Sequence, residues 1–120
     1  MPKNLNISVL LDFYGDAITE KQREAIEFYY NEDLSLAEIA EIEGITRQGV
    51  RDSIKRGEGI MQELENKLGI AARFGRMQEG LEQIMVNAKA IEDYNTKHGY
   101  SREVAQAADT IFRLARELSE

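Results

Sequence analysis

The chain has 120 residues, 42% of them hydrophobic and 31% charged, with a formal net charge of −7 and no cysteine. That length suits one compact unit plus an extension, and the missing thiols exclude a disulfide framework, a thiolate zinc site and a reactive thiol. The apolar run Val9–Leu11, cut off by Asp12, is too short for a signal peptide or a membrane span, so a cytoplasmic protein without membrane insertion is expected.

Helical periodicity runs through the whole chain, and its one proline is Pro2, so the expected fold class is all-α. Residues 5 to 16 place Leu10, Leu11, Phe13 and Tyr14 on one helix face, with Ile18 following and Gly15 weakening the last turn. Thr19 with Gln22 reads as a capping box opening a helix from Glu20 to Tyr30, whose buried side is Ala25, Ile26, Tyr29 and Tyr30. Asn31 to Asp33 make a turn before Leu34, a core plug next to Leu36.

Residues 35 to 56 carry the chemistry. Ser35 with Glu38 is a second capping box, Leu36, Ile39 and Ala40 form an apolar stripe, and Gly44 suits a sharp turn. Thr46 is a good N-cap for a following helix whose buried face holds Val50 and Ile54. Two short helices joined by a glycine turn form a helix-turn-helix. Its second helix turns Arg47, Gln48, Arg51, Asp52, Lys55 and Arg56 to solvent, the side-chain types that meet phosphates and base edges.

That helix continues. Val50, Ile54, Gly57, Met61, Leu64 and Leu68 are spaced 4, 3, 4, 3 and 4, a heptad seam that predicts one helix from Arg47 to Leu68, with Gly57 and Gly59 as the place for a bend. Gly57 lies on the seam, where a missing side chain permits close helix approach. Gly69 suits the residue after the helix, with Ile70 reaching back to Leu64 as in a Schellman ending. A further helix is expected over Ala71–His98 with the seam Phe74, Met77, Leu81, Ile84, Ala88 and Ile91. Lys97 and His98 suit its C-terminus, Gly99 ends it, and Ser101 caps a last helix with Val104, Ala107, Ala108, Ile111, Leu114 and Leu118 on one face. The expected organisation is a helix-turn-helix domain over residues 1–57 and a helical dimerisation arm over 58–120. These seams hold too much apolar area for an isolated arm, and a homodimer through residues 60 to 118 follows.

Charge is unevenly distributed. The sequence pI is about 4.8, low for a nucleic-acid-binding domain. Residues 12–43 carry ten Asp/Glu against Lys21 and Arg23, a balance of −8, whereas 44–57 carry Arg47, Arg51, Lys55 and Arg56 against Asp52, a balance of +3. The basic patch therefore coincides with the candidate recognition helix, and backbone affinity is expected to be weak and salt-sensitive.

The run ITEKQREAIEFYYNEDLSLAEIAEIEGITRQGVRDSIKR resembles region four of bacterial sigma factors, a helix-turn-helix without a wing. With DFYGDAI before it and the helical tail after it, nearly the whole chain is similar to the YlxM-like family of small bacterial helix-turn-helix proteins. The resemblance implies a regulatory, DNA-binding role in the context of the signal recognition particle pathway. It departs from the family pattern at Arg51, where an aromatic residue is expected. Two functions follow as expectations. In one, Arg47, Gln48 and Arg51 face base edges, Lys55 and Arg56 meet phosphates, and the helix N-terminus at Thr46 adds a phosphate contact. In the other, the chain is a protein- or RNA-interaction module acting directly on signal recognition particle components. The sequence holds no nucleophile motif, phosphate loop or dinucleotide fingerprint, so no enzyme and no cofactor are expected. Asp12 and Asp16 without a nearby histidine give no metal site, and Met61, Met77 and Met85 read as core.

Overall fold

The computed structural model describes Lys3 and residues 6–120. The fold is all-α: among the described residues there are helices and turns and no strand. The first helix, α1, spans Asn6–Tyr14 and gives way to a 3-10 turn at Gly15–Ala17; residue 5, where the sequence reading began it, lies outside the described residues. Thr19 opens α2 (Glu20–Ile26): its hydroxyl accepts from the Gln22 N–H at 3.1 Å while Gln22 Oε1 accepts from the Thr19 N–H at 2.9 Å. The helix does not run to Tyr30 in α geometry. It widens into a π turn over Glu27–Asn31, where the Glu32 N–H reaches the Glu27 carbonyl at 3.1 Å. Asp33 then takes a φ of +56°, with its carboxylate paired to Lys3.

The second capping box holds as expected. Ser35 Oγ accepts from the Glu38 N–H and Glu38 Oε1 accepts from the Ser35 N–H, both at 3.1 Å, starting α3 (Leu36–Glu43). Gly44 ends it with φ +70°, and the N–H groups of Gly44 and Ile45 both donate to the Ala40 carbonyl. Thr46 then caps α4 (Arg47–Leu68), accepting from the Gly49 N–H at 3.0 Å.

This long helix is the centre of the fold, packed against α1, α2 and α3. Val50, Ile54 and Met61 are each 0% exposed and meet Ile7, Leu10, Leu11 and Tyr14 from α1, Ala25 and Ile26 from α2, Tyr29 beyond it, and Ile39 and Ala40 from α3. Each such side chain stabilises the fold by roughly 1.5–3 kcal/mol through removal from water. At Gly57 α4 lies close against α2. A Cβ there would lie 2.6 Å from Ile26 Cδ1 and 3.4 Å from Gln22 Cβ.

The end of α4 differs from expectation. Gly69 adopts φ +63° and its N–H donates to the Glu65 carbonyl at 2.8 Å, the simpler left-handed ending. The Ile70 N–H, which a Schellman ending would return to α4, is taken by the Tyr14 hydroxyl at 3.2 Å, and the Ile70 side chain is exposed. Tyr14 Oη in turn donates to Glu65 Oε1 at 2.6 Å, and the same oxygen accepts from the Ala71 N–H at 3.0 Å. Burial, and then the hydrogen bond to Glu65, push the Tyr14 phenol above its ordinary value.

Two compact units follow, Met1–Ala71 and Ala72–Glu120. The division falls later than residue 57 because α4 is unbroken there and its Met61 and Leu64 pack onto the core of the first unit. The second unit is an antiparallel hairpin made by the remainder of α5 (Ile70–Lys97) and by α6 (Arg102–Ser119). Its register is marked at one end by Gln78 Nε2 donating to the Ser119 carbonyl at 2.9 Å, midway by Lys89 Nζ 4.4 Å from the centre of the Phe112 ring, and at the other end by Asn95. Asn95 donates to the Ser101 carbonyl and accepts from the Ser101 N–H, both at 2.9 Å, closing the turn around Gly99.

Of the expected seams, only Leu81 and Ala88 on α5 and Ala108 on α6 face the partner helix. The inward stripe is Leu81, Met85, Ala88 and Asn95 on α5 and Ala105, Ala108, Phe112 and Ala115 on α6. Met77 is 57% exposed and is not a core residue, Met85 is half-buried, and only Met61 is fully buried. Phe74, Ile84, Ile91, Val104, Ile111, Leu114 and Leu118 are exposed as well, as is Leu68 at the end of the α4 seam. One helix covers one stripe of its partner, and the apolar arcs of α5 and α6 are wider than that.

Candidate nucleic-acid interface

The surface of α4 between its N-cap and Gly59 follows from its core face. At about 100° per residue, Val50, Ile54, Gly57 and Met61 share one side, which puts Gln48, Asp52 and Lys55 opposite, Arg47 and Arg51 on one flank and Arg56 on the other. Arg47, Gln48, Arg51, Asp52, Lys55 and Arg56 are all exposed, so the structure brings the expected site residues together on one helix surface. Thr46 is at its head, with its hydroxyl oxygen committed to the Gly49 N–H. The N–H groups of the first turn have no acceptor within the helix and point out of its N-terminus.

The ion pairing of this unit separates two kinds of cation. Lys3 pairs with Asp33, Lys21 with Glu43 at 3.2 Å, Arg23 with Asp16 at 2.8 Å and Glu27 at 3.2 Å, and Lys67 with Glu63 at 3.1 Å. Glu43 raises Lys21, and Glu27 followed by Asp16 raises Arg23, each through a hydrogen bond to the charged form. By contrast Arg47, Arg51, Lys55 and Arg56 have no carboxylate within ion-pair distance among the described residues. In a segment so rich in acid, this leaves a local positive field on α4 alone.

Two details were not visible in the residue pattern. Gln48 Nε2 donates to Asp52 Oδ1 at 2.9 Å, so the amide expected to read a base is held by a carboxylate on its own face. Arg56 borders a shallow cleft of about 310 Å³ with Thr19, Gln22, Gly49, Asp52 and Ser53. The capping box locates Thr19 and Gln22 at a helix start, but their approach to α4 depends on Gly57, a contact between residues far apart in sequence. Asp16, meanwhile, is drawn to Arg23 and sits in the 3-10 turn, so it does not share a helix with Asp12. No group of three or more His, Cys, Asp or Glu residues converges among the described residues, and no described helix is long and apolar enough to cross a membrane.

Residues 1–99 match the profile of the family UPF0122, described as "Putative helix-turn-helix protein, YlxM / p13 like". The chain belongs to this family. Relatives agree in length as well as in pattern. A UPF0122 protein of Thermoanaerobacter sp. (strain X514) is 42% identical over 115 residues, covering 96% of this chain and 95% of the relative. One from Acetivibrio thermocellus is 41% identical over 92 residues, covering 77% and 79%, and one from Symbiobacterium thermophilum is 46% identical over 78 residues, covering 65% and 73%. The matched stretch contains all of the helix-turn-helix and all of α5, and stops before α6.

Proposed function

We propose that this chain is a non-enzymatic, DNA-binding regulatory protein that reads DNA with the first three turns of α4. The observation that carries the reading is the set of unpaired cations Arg47, Arg51, Lys55 and Arg56 on the exposed face of the second helix of a helix-turn-helix, in a unit whose other cations are each paired with a carboxylate. Arg47 and Arg51 approach base edges, where guanine offers two acceptors to one guanidinium. Gln48 joins them once it leaves Asp52. Lys55 and Arg56 meet phosphates, and the amides after Thr46 add a phosphate contact at the helix N-terminus. Labour divides along the chain into a DNA-reading part and a helical dimerisation arm, and a homodimer presents two such helices to a paired site. The acidic surface of residues 12–43 suppresses non-specific binding, so specific contacts carry the affinity.

Fluorescence anisotropy on a DNA site selected from a random pool tests this. Arg51→Ala is expected to weaken specific binding by about 1–3 kcal/mol, and Lys55→Ala to weaken all sequences alike and lower the salt slope by about 1. Unchanged affinity in both variants would refute the assignment.

A second reading draws on the exposed carboxylates Asp12, Asp16, Glu20, Glu32, Glu38 and Glu41. They suit a basic protein surface, and the resemblance to the YlxM-like family points to signal recognition particle components as the partner. Capture from lysate with and without nuclease separates the readings. Nuclease-sensitive recovery of DNA favours the first, and nuclease-resistant recovery of particle proteins favours the second.

A further inference from the structure

The α5–α6 hairpin has one apolar face too many. Relative to the inward stripes, Met77, Ile84 and Ile91 lie roughly a quarter turn round α5, and Val104, Ile111 and Leu118 roughly a quarter turn round α6, at about 100° per residue. Both displacements run toward lower angle along the chain. In two helices packed antiparallel, that puts both stripes on the same side of the hairpin. The cleft at the turn agrees, since Ile91, Tyr94 and Val104 line one hollow of about 480 Å³. The six residues are 57%, 45%, 46%, 39%, 43% and 70% exposed in the order named, and Leu114 and Tyr94 extend the same face at 48% and 65%.

From this geometry we infer that the hairpin face is the docking surface for the same face of a second copy of this chain, the two hairpins forming a four-helix bundle. The inference rests on the dimeric reading above and names its surface. Three observations select the occupant. The first is area. Those side chains leave roughly 700 Å² bare per copy, above the roughly 300–600 Å² patch of an ordinary monomer and close to the ~800 Å² each partner gives a stable interface. The second is spacing: residues 77, 84 and 91 repeat every seven, as do 104, 111 and 118, the period of helices that pack in bundles. The third is charge. Residues 72–120 carry seven Lys/Arg against eight Asp/Glu, a balance of −1, while residues 1–71 carry eight against fourteen, a balance of −6. Two hairpins meet with little repulsion, and neither an acidic nor a basic polymer is selected.

The arrangement has a direction. Arg76 lies at the Leu118 end of the face, and Tyr94 and Glu103 lie at the other. A two-fold axis across the hairpin reverses one copy, so Arg76 of each protomer approaches the aromatic ring and the carboxylate of its partner.

Light scattering on the purified chain, without nucleic acid, tests the surface independently of any DNA binding. At about 100 μM the expected mass is twice the 13.7 kDa of one chain. Ile84→Glu and Leu114→Glu are expected to weaken association at least about 100-fold, since each buries a charge at the bundle core. Val86→Glu, on the far side of α5 and 68% exposed, is expected to leave it unchanged. Met77 supplies a second readout: at about 100 μM its oxidation by dilute peroxide should be slower in the parent chain than in Ile84→Glu or Leu114→Glu. A monomer at about 100 μM, equal dissociation by Val86→Glu, or oxidation of Met77 at the same rate in the parent chain and in Ile84→Glu would overturn the inference.

Discussion

Gly57 and Gly59 lie two residues apart in the same helix, and alanine at each should act in opposite directions. Both substitutions gain helix propensity, about 1 kcal/mol. At Gly59 a Cβ meets nothing within 4 Å, so the gain stands alone. At Gly57 it would lie 2.6 Å from Ile26 Cδ1, about 1 Å inside ordinary carbon contact. That methyl is the far end of its side chain, but Ile26 is 0% exposed, so in a close-packed interior its movement must displace core neighbours. Overpacking of this kind costs about 1–3 kcal/mol, so Gly57→Ala should come out neutral to about 2 kcal/mol destabilised and Gly59→Ala stabilised by up to about 1 kcal/mol. The propensity gain cancels in the difference, which leaves the packing cost of about 1–3 kcal/mol between the two variants. Urea unfolding followed by far-UV circular dichroism measures it, with midpoints in a thermal scan separated by about 4 °C per kcal/mol. Equal stabilisation of both variants would mean that α2 and α4 do not meet at Gly57, and the placement of α4 at the centre of the fold would fail with it.

Three further outcomes are expected. Ser35→Ala removes the acceptor for the Glu38 N–H and should cost about 1 kcal/mol in the same urea assay. Ile54→Ala empties a fully buried site in the middle of α4 and should cost about 2–5 kcal/mol, with a midpoint shift and little change in slope. Tyr14→Phe is expected to destabilise the chain at neutral pH, because the Glu65 carboxylate loses a donor and the Ile70 N–H loses its acceptor. It should also flatten the pH profile. Tyr14 is raised above 10.0, so its contribution is complete below pH 10 and is lost as pH rises through the folded-state value. Urea midpoints at pH 9 and pH 11 should therefore converge for Tyr14→Phe relative to the parent chain, and parallel loss in both would contradict the role of the Tyr14 hydrogen bond.

The elements that sequence pattern located well are those whose signals are local. A capping box needs residues three apart, and both boxes formed with the side chains read from the sequence. The helix from Arg47 to Leu68 was legible from its seam alone, and its basic face followed from the same periodicity. The endings were less so. The π turn after Ile26 and the fate of the Ile70 N–H both depend on neighbours brought from elsewhere in the fold.

Local pattern by itself determined that the chain is helical, where the capped helices α2, α3, α4 and α6 begin, and that Arg47, Arg51, Lys55 and Arg56 share a surface, because these are properties of one helix at a time. Tertiary structure decided which of several apolar stripes is covered. α5 and α6 each carry an apolar arc wider than one partner can bury, and nothing within either helix says which edge of that arc faces in. Tertiary structure also decided that the cations on α4 stay free. Their availability depends on where the carboxylates of this unit end up: Asp33, Glu43, Asp16 and Glu27 pair with Lys3, Lys21 and Arg23, and among the described residues none comes within ion-pair distance of Arg47, Arg51, Lys55 or Arg56. Spacing places a charge on a face, and packing determines whether that charge is already neutralised.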